Sequence, residues 1–240
     1  MKTLIVIPSR LKSTRLHEKP LISIKGKSLI ERVYNQVKKC KNKVDIIVAT
    51  DSEKIIKHAK SFGADTLMTK ADHLSGTERC CEALNIINKP YDLVINVQGD
   101  EPLIDPKMID SIISSYNISE DQILTATKKM KYSQTFFNEN IVKVEFDKNM
   151  IVADFYRKKN NYKKDFFFKH IGIYAFSKKI LNEICLLNPT KKEIDQSLEQ
   201  LRWLENNYKI RVIETKHDSV SIDTKEDIQN LNNKLTEKLN

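Results

Sequence analysis

The sequence predicts an α/β fold, with a mostly parallel central sheet, helices on both faces and a small β-hairpin appendage. Three observations predict it. Short continuous apolar runs recur ("TLIVIP", "VDIIVAT", "DLVINVQG"), the pattern of strands buried on both faces. Amphipathic, capped stretches separate them. Only the region from about residue 138 to residue 170 breaks this rhythm, so the appendage is placed there, within a single domain spanning residues 1–240.

The elements follow in order. "TLIVIP" is the first strand. "SLIERVYNQVKKC" is a helix, with Ser28 and Glu31 spaced as a capping box and Leu29, Ile30, Val33, Tyr34 and Val37 on one face. "VDIIVAT" is the second strand. Asp51 or Ser52 caps the helix "SEKIIKHAKSF", which Gly63 ends. The helix "ERCCEALNII" precedes the strand "DLVINVQG". Asp105-Pro106 opens another helix, with proline at its first position. "ILTATKK" is a strand. "NIVKVEFDKNMIVADFYR" is a hairpin turning at Asp147-Lys148-Asn149. A polar, basic stretch leads to the strand "HIGIYAF", then to helices over 178–187 and about 194–207. The strand "KIRVIET" and a helix after "SIDT" close the order.

The net charge of +9 raises the question of nucleic acid. Lysine outnumbers arginine 34 to 7 and is spread along the chain, as a solvated surface would be. There is no RNP-like aromatic pattern, zinc-finger spacing or basic heptad, and aromatics are only 8%, so nucleic acid is set aside as a partner. Cys40, Cys80, Cys81 and Cys185 form no C-x-x-C pair and read as free thiols, hence a reducing cytoplasm. The six-residue apolar run at the start is too short for a signal peptide, and no membrane span is present.

In a sheet of this kind ligands bind at the carboxyl ends of strands. The first strand delivers "PSRLKSTRLHEK", which is dense in cations and lacks the glycines of a Walker-type loop. The second delivers Asp51. "HLSGTER" precedes a helix, "VQGDEP" brings Gln98 and Asp100, and later segments bring His170, Tyr174 and Asp223. Five of the seven arginines (Arg10, Arg15, Arg79, Arg157, Arg202) fall in or beside these segments. In a lysine-rich chain, arginine at such places points to its planar fork, which matches phosphate and carboxylate. Asp100 beside Glu101, with Asp223 far downstream, could hold a hard cation, since magnesium takes one or two carboxylates plus substrate phosphates. Asp223 also reads as a helix cap beside Thr224 and Asp227. These residues describe a nucleotide-using transferase.

Taken in order, "IPSRLKSTRL-x-x-KPL", "VATD", "HLSGTER", "VINVQGDEP", "NIVKV", "HIGIYAF", "LEQLR" and "IDTKEDI" strongly resemble the bacterial 3-deoxy-manno-octulosonate (KDO) cytidylyltransferases, from about residue 2 to residue 235. The resemblance implies a Rossmann-like nucleotidyltransferase fold, a homodimer, Mg²⁺ as cofactor, and the reaction of CTP with KDO to CMP-KDO and pyrophosphate, feeding lipopolysaccharide or capsule assembly. It implies a triphosphate loop of Arg10, Ser13, Thr14, Arg15 and Lys19, nucleotide contacts from Asp51, Ser75, Gly76 and Arg79, and magnesium on Asp100 and Asp223. Arg10, Arg15, Lys19, Asp100 and Asp223 would be the catalytic set. Gln98, Arg157, His170, Tyr174, Glu199 and Gln200 would surround the sugar acid. Before Lys19 the family usually carries Pro-Gly; here His17-Glu18 stands instead, which implies a differently hinged loop with an acid near the phosphates. A related ulosonic acid, 8-amino-KDO or sialic-acid-like, is the alternative substrate.

Overall fold

The structure, a computed structural model, describes residues 1–13, 15–160 and 162–237. In chain order the first half comprises β1 (Thr3–Ser9), β2 (Ser23–Ile24), β3 (Lys27–Ser28), α1 (Leu29–Val37), β4 (Val44–Thr50), α2 (Glu53–Ser61), β5 (Asp65–Met68), α3 (Gly76–Ile87), β6 (Leu93–Val97) and α4 (Pro106–Ser115). The second half comprises β7 (Ile123–Lys131), β8 (Lys143–Phe146), β9 (Val152–Tyr156), β10 (Phe166–Phe176), α5 (Lys178–Ile184), α6 (Lys191–Gln196), α7 (Gln200–Glu205), β11 (Ile210–Glu214) and α8 (Lys225–Glu237).

The main sheet runs β11-β7-β10-β6-β1-β4-β5. β1 pairs parallel with both β4 and β6, β4 with β5, and β11 with β7. The fully buried run of β1 splits by the two-residue period of a strand. Ile5 and Ile7 pack among residues of α1, α2 and α4, while Leu4 and Val6 pack among residues of α3 and α5. Each such side chain contributes roughly 1.5–3 kcal/mol by leaving water. Helices therefore cover both faces, as the apolar runs predict.

β10 departs from the parallel pattern. It is antiparallel to both β6 and β7, with a bulge between Ile171 and Tyr174. Beyond the bulge its first half carries the β8–β9 hairpin through the pair Lys169–Lys143. One eleven-residue strand thus links the sheet and the hairpin. The helix expected over about 194–207 is two, α6 and α7, because Ser197 takes a left-handed backbone (φ 51°). That break turns the carbonyls of Gln196 and Ser197 toward Arg157.

The caps follow the sequence with two differences. Ser28 accepts from the Glu31 N–H and Asp105 from the Lys107 N–H. Ser52, not Asp51, stands at the start of α2, and its side chain makes no cap bond. At α8, Thr224 Oγ1 accepts from the Asp227 N–H (3.2 Å), while Asp227 Oδ2 accepts from the N–H groups of Asp223 and Thr224 (2.9 and 2.8 Å). Thr224 and Asp227 close this helix reciprocally, leaving the Asp223 carboxylate out of the cap. α8 docks on the opening loop through a cluster of Leu16, Ile24, Leu29, Ile222 and Leu231.

Candidate active site

The loop after β1 is held from three sides. Asp51 Oδ1 accepts from the Leu11 N–H at 3.0 Å. Leu16 is buried against α8. Lys19 opens a 3₁₀ turn with Pro20 buried behind it. Glu18 adopts the left-handed conformation (φ 48°, ψ 41°), at a cost of roughly 1–2 kcal/mol. Its carboxylate turns to Lys54 Nζ on α2 (2.5 Å) rather than toward the loop's cations, so the acid sits on α2's side.

Lys19 Nζ donates to Asp100 Oδ2 (2.7 Å) and to Asp223 Oδ1 (3.0 Å). Burial alone would lower the Lys19 pKa, but the two carboxylates outweigh it and raise the pKa above the usual lysine value. Arg15 lies 2.9 Å from the same Asp223 oxygen. Asp100 arrives from β6 through Gly99, where a Cβ would stand 2.7 Å from the Pro8 carbonyl oxygen, so only glycine lets the two strand ends lie so close. Asp223 arrives from the segment before α8, whose Ile222 N–H donates to the Asp100 carbonyl (2.9 Å). Among the described residues no group of three or more His, Cys, Asp or Glu could hold a metal. Two carboxylates converging on one cationic point fit magnesium, which completes its shell with water and substrate phosphates.

Two cavities, of about 450 and 920 Å³, adjoin here. Arg15, Gln98, Asp100, Arg157, Ser197 and Asp223 stand in the walls of both. The smaller also takes Arg10, Ser13, Lys19, Ser75, Gly76 and Arg79. The larger takes His170, Tyr174, Glu199 and Gln200. Thr14 lies outside the described residues. Asp51 lines neither cavity; it supports the loop and sits 3.6 Å from Arg79.

The smaller cavity is cationic along the β1 loop and faces the start of α3. Ser75 caps α3, accepting from the Glu78 N–H at 3.1 Å. A Cβ on Gly76 would meet Pro8 Cγ at 3.1 Å and Gln98 Oε1 at 3.3 Å, so glycine lets the helix start close over the strand ends. Arg79 is buried and spends its donors on Thr69 Oγ1 (2.5 Å) and the Lys70 carbonyl (2.9 Å), which makes it a wall of the cavity held by main chain. Lys12, the loop's other lysine, is exposed and stands in neither wall.

The larger cavity has walls of mixed charge, with Arg15, Arg157 and Lys169 set among carboxylates and neutral polar groups. His170 accepts or donates to Thr125 Oγ1 at 3.0 Å, and burial pushes its pKa down to about 3, so the ring is neutral at neutral pH. Glu199 accepts from the hydroxyls of Ser75 (2.5 Å) and Thr77 (2.9 Å), tying this cavity to the start of α3. Burial pushes its carboxyl up to about 7 in spite of those two donors. Arg157 donates to the carbonyls of Gln196 (2.8 Å), Glu139 (2.8 Å) and Ser197 (3.2 Å). Its own carbonyl accepts from the fully buried Lys143 Nζ (2.7 Å). Burial, reinforced by the charge of Arg157, pushes Lys143 down to about 8. Arg202, which ends "LEQLR", lines neither cavity and is paired with Glu193 instead.

Sequence reasoning passed over Ser9, and it weighed Glu101 only as the acid beside Asp100 in a cation site. Among the described residues Ser9 Oγ has no hydrogen-bond partner and is buried in the wall of the smaller cavity, at the end of a strand that reads as apolar. Glu101 stands in the larger cavity. The signal for it was the second acid of "GDEP", which reads equally as a turn residue.

A family profile described as cytidylyltransferase matches residues 4–210. A 3-deoxy-manno-octulosonate cytidylyltransferase of Cytophaga hutchinsonii is 42% identical over 234 residues, 93% of each chain. One of Chloroherpeton thalassium is 41% identical over the whole of both chains. Among solved structures, a CMP:2-keto-3-deoxy-manno-octonic acid synthetase complexed with CTP superposes with a TM-score of 0.91. It is 29% identical and covers 99% of this chain and all of its own.

Proposed function

Because this chain belongs to the 3-deoxy-manno-octulosonate cytidylyltransferase family, we infer that it transfers the cytidylyl group of CTP to KDO, giving CMP-KDO and pyrophosphate. The observation that carries the reading is the pair of adjoining cavities, one mainly cationic and one of mixed charge, that meet at Arg15, Arg157, Asp100 and Asp223. A nucleoside triphosphate and a sugar acid bound side by side bring their reacting atoms to that junction.

In this reading the 2-hydroxyl of KDO gives up its proton to solvent as its oxygen attacks the α-phosphorus of CTP, a new oxygen–phosphorus bond forms, and the bond from that phosphorus to the bridging β-phosphate oxygen breaks as pyrophosphate leaves. Both reactants are anions, so neutralisation and positioning do most of the work. Arg10, Ser13, Arg15 and Lys19 take the phosphates, and the start of α3 with Ser75, Gly76 and Arg79 bounds the base. Gln98, Arg157, His170, Tyr174, Glu199 and Gln200 hold the sugar acid. Asp100 and Asp223 would hold magnesium, which supplies Lewis acidity toward the phosphate and hydroxyl oxygens. The fit rests on their convergence on Lys19 Nζ. The reading extends to a homodimer working in the cytoplasm and supplying a CMP-activated sugar to lipopolysaccharide or capsule assembly. The resemblance supports these, and the four free thiols agree with a reducing compartment.

The test is pyrophosphate release by the purified chain with magnesium, each of four nucleoside triphosphates and a panel of sugar acids. CTP should be preferred over ATP and GTP by at least about tenfold, roughly 1.4 kcal/mol. KDO should be required. Equal turnover with all four nucleotides, or release independent of the sugar, overturns the reading.

Within the loop, Arg15→Lys keeps a charge but loses the fork, and should lower activity about tenfold or more, with Arg10→Lys behaving alike. Lys12→Ala should change it less, since Lys12 is exposed and outside both cavity walls. If Lys12→Ala proves the most damaging of the three, the loop assignment is wrong.

A further inference from the structure

Glu101 has an arrangement that the reaction as described does not use. Its residue is only 7% exposed. Oε2 accepts from the Ser219 hydroxyl at 2.7 Å. Among the described residues no donor reaches Oε1, and no lysine, arginine or histidine lies within ion-pair distance of the carboxylate. Oε1 is not sealed in the core either. Glu101 lines the larger cavity beside Gln98, His170 and Gly172, and a Cβ on Gly172 would stand 3.5 Å from Oε1 and 3.7 Å from Gln98 Cγ. The absent side chain leaves the space in front of Oε1 open.

An acceptor that faces a cavity and has no protein donor takes its hydrogen bond from whatever fills that cavity. Two charged or titratable neighbours are already committed. Lys169 Nζ donates to Asp218 Oδ1 (2.8 Å) and the Ser219 carbonyl (2.7 Å). His170 is engaged with Thr125. A sugar acid in the larger cavity is rich in hydroxyl donors. Resting on the reading above, we infer that Glu101 Oε1 accepts a hydrogen bond from a hydroxyl of the bound sugar acid, making Glu101 a residue that selects the sugar.

Kinetics of both substrates test this. Glu101→Ala should raise KM for KDO about tenfold, as loss of a substrate hydrogen bond does, and leave KM for CTP within about twofold. Glu101→Gln keeps an acceptor and should fall between. Ser219→Ala should leave KM for KDO within about twofold, because Lys169 holds that loop without the Ser219 hydroxyl. A series of single-deoxy KDO analogues should contain one that binds wild type poorly and loses nothing further in Glu101→Ala. A merely structural Glu101 gives the opposite pattern, with Ser219→Ala as damaging as Glu101→Ala, KM for CTP rising alongside, and every analogue losing equally in both proteins. That result overturns the inference alone. Wild-type chain that does not turn over KDO overturns it together with the reading it rests on. Should Glu101→Ala not fold, the Gln variant and the analogue series decide.

Discussion

Asp223→Asn is expected to fold with near-native stability and lose at least about 10²-fold in turnover, roughly 2.7 kcal/mol of transition-state stabilisation. The stability half follows from the cap. Thr224 and Asp227 close α8 between them, and only the main-chain N–H of Asp223 takes part. What the Asn variant gives up in the free protein is the pair with Lys19 and the one with Arg15, whose side chain is 58% exposed. An exposed pair of that kind contributes about 0–1 kcal/mol. The activity half follows from charge, since Asn keeps the shape and a carbonyl oxygen but not the anion that a hard cation needs. Asp100→Asn should behave the same way, because both carboxylates meet at one point. The double variant should lose much less than the product of the two single losses, as groups serving one centre act as a unit. Melting temperature and pyrophosphate release across a magnesium titration are the measurements. A fully active Asp223→Asn enzyme with unchanged magnesium dependence would remove Asp223 from the metal site.

The largest stability effect belongs to Arg202. Its guanidinium is 4% exposed and holds Glu193 with two parallel bonds, Nε to Oε2 at 2.8 Å and Nη2 to Oε1 at 2.7 Å. Nη1 donates to the Leu187 carbonyl (3.1 Å) and reaches Glu78 in the first turn of α3 (3.4 Å). One side chain therefore ties α7, α6 and α3 together. Arg202→Met should cost about 3–5 kcal/mol, because it leaves the Glu193 carboxylate buried and unpaired. For a chain of this size that lowers Tm by roughly 6–20 °C. Adding Glu193→Gln removes the stranded charge while keeping a group that can accept from the Thr190 N–H, and should restore a substantial part of the loss. Thermal unfolding of the two variants settles the point. An unchanged Tm in Arg202→Met would mean the triad contributes nothing, and a double variant no better than the single one would mean that charge burial is not the cause.

Arg202 also shows why a motif read from sequence does not assign a role to each of its members. "LEQLR" contributes Glu199 and Gln200 to the larger cavity. Its arginine, three residues beyond Glu199, faces the other way and serves the packing of three helices. Asp51 is a similar case. It ends "VATD" as a candidate ligand contact or a helix cap, and the fold uses it to hold the Leu11 N–H of the loop after β1. Glu18 takes a left-handed backbone without being glycine, and Lys54 on α2 takes its charge, a pairing between separate elements that no local pattern announces.

The sequence by itself determined the local structure. Strand runs, helix faces and turn residues are set by periodicities of two and 3.6 residues and by caps that reach three or four positions, all of which lie within a short window. It also determined which scarce side chains fall at strand ends. Only the tertiary structure decided that β10 runs antiparallel between β6 and β7, since a buried strand reads the same in either direction. It alone decided the break at Ser197, a polar residue placed in αL by its surroundings rather than by any glycine signal. And it alone brought Lys19 to Asp100 and Asp223, which lie 81 and 204 positions further along the chain. That meeting depends on Gly99 letting two strand ends touch and on α8 packing against Leu16. Such contacts are fixed by which surfaces bury together, and no local pattern of residues encodes that.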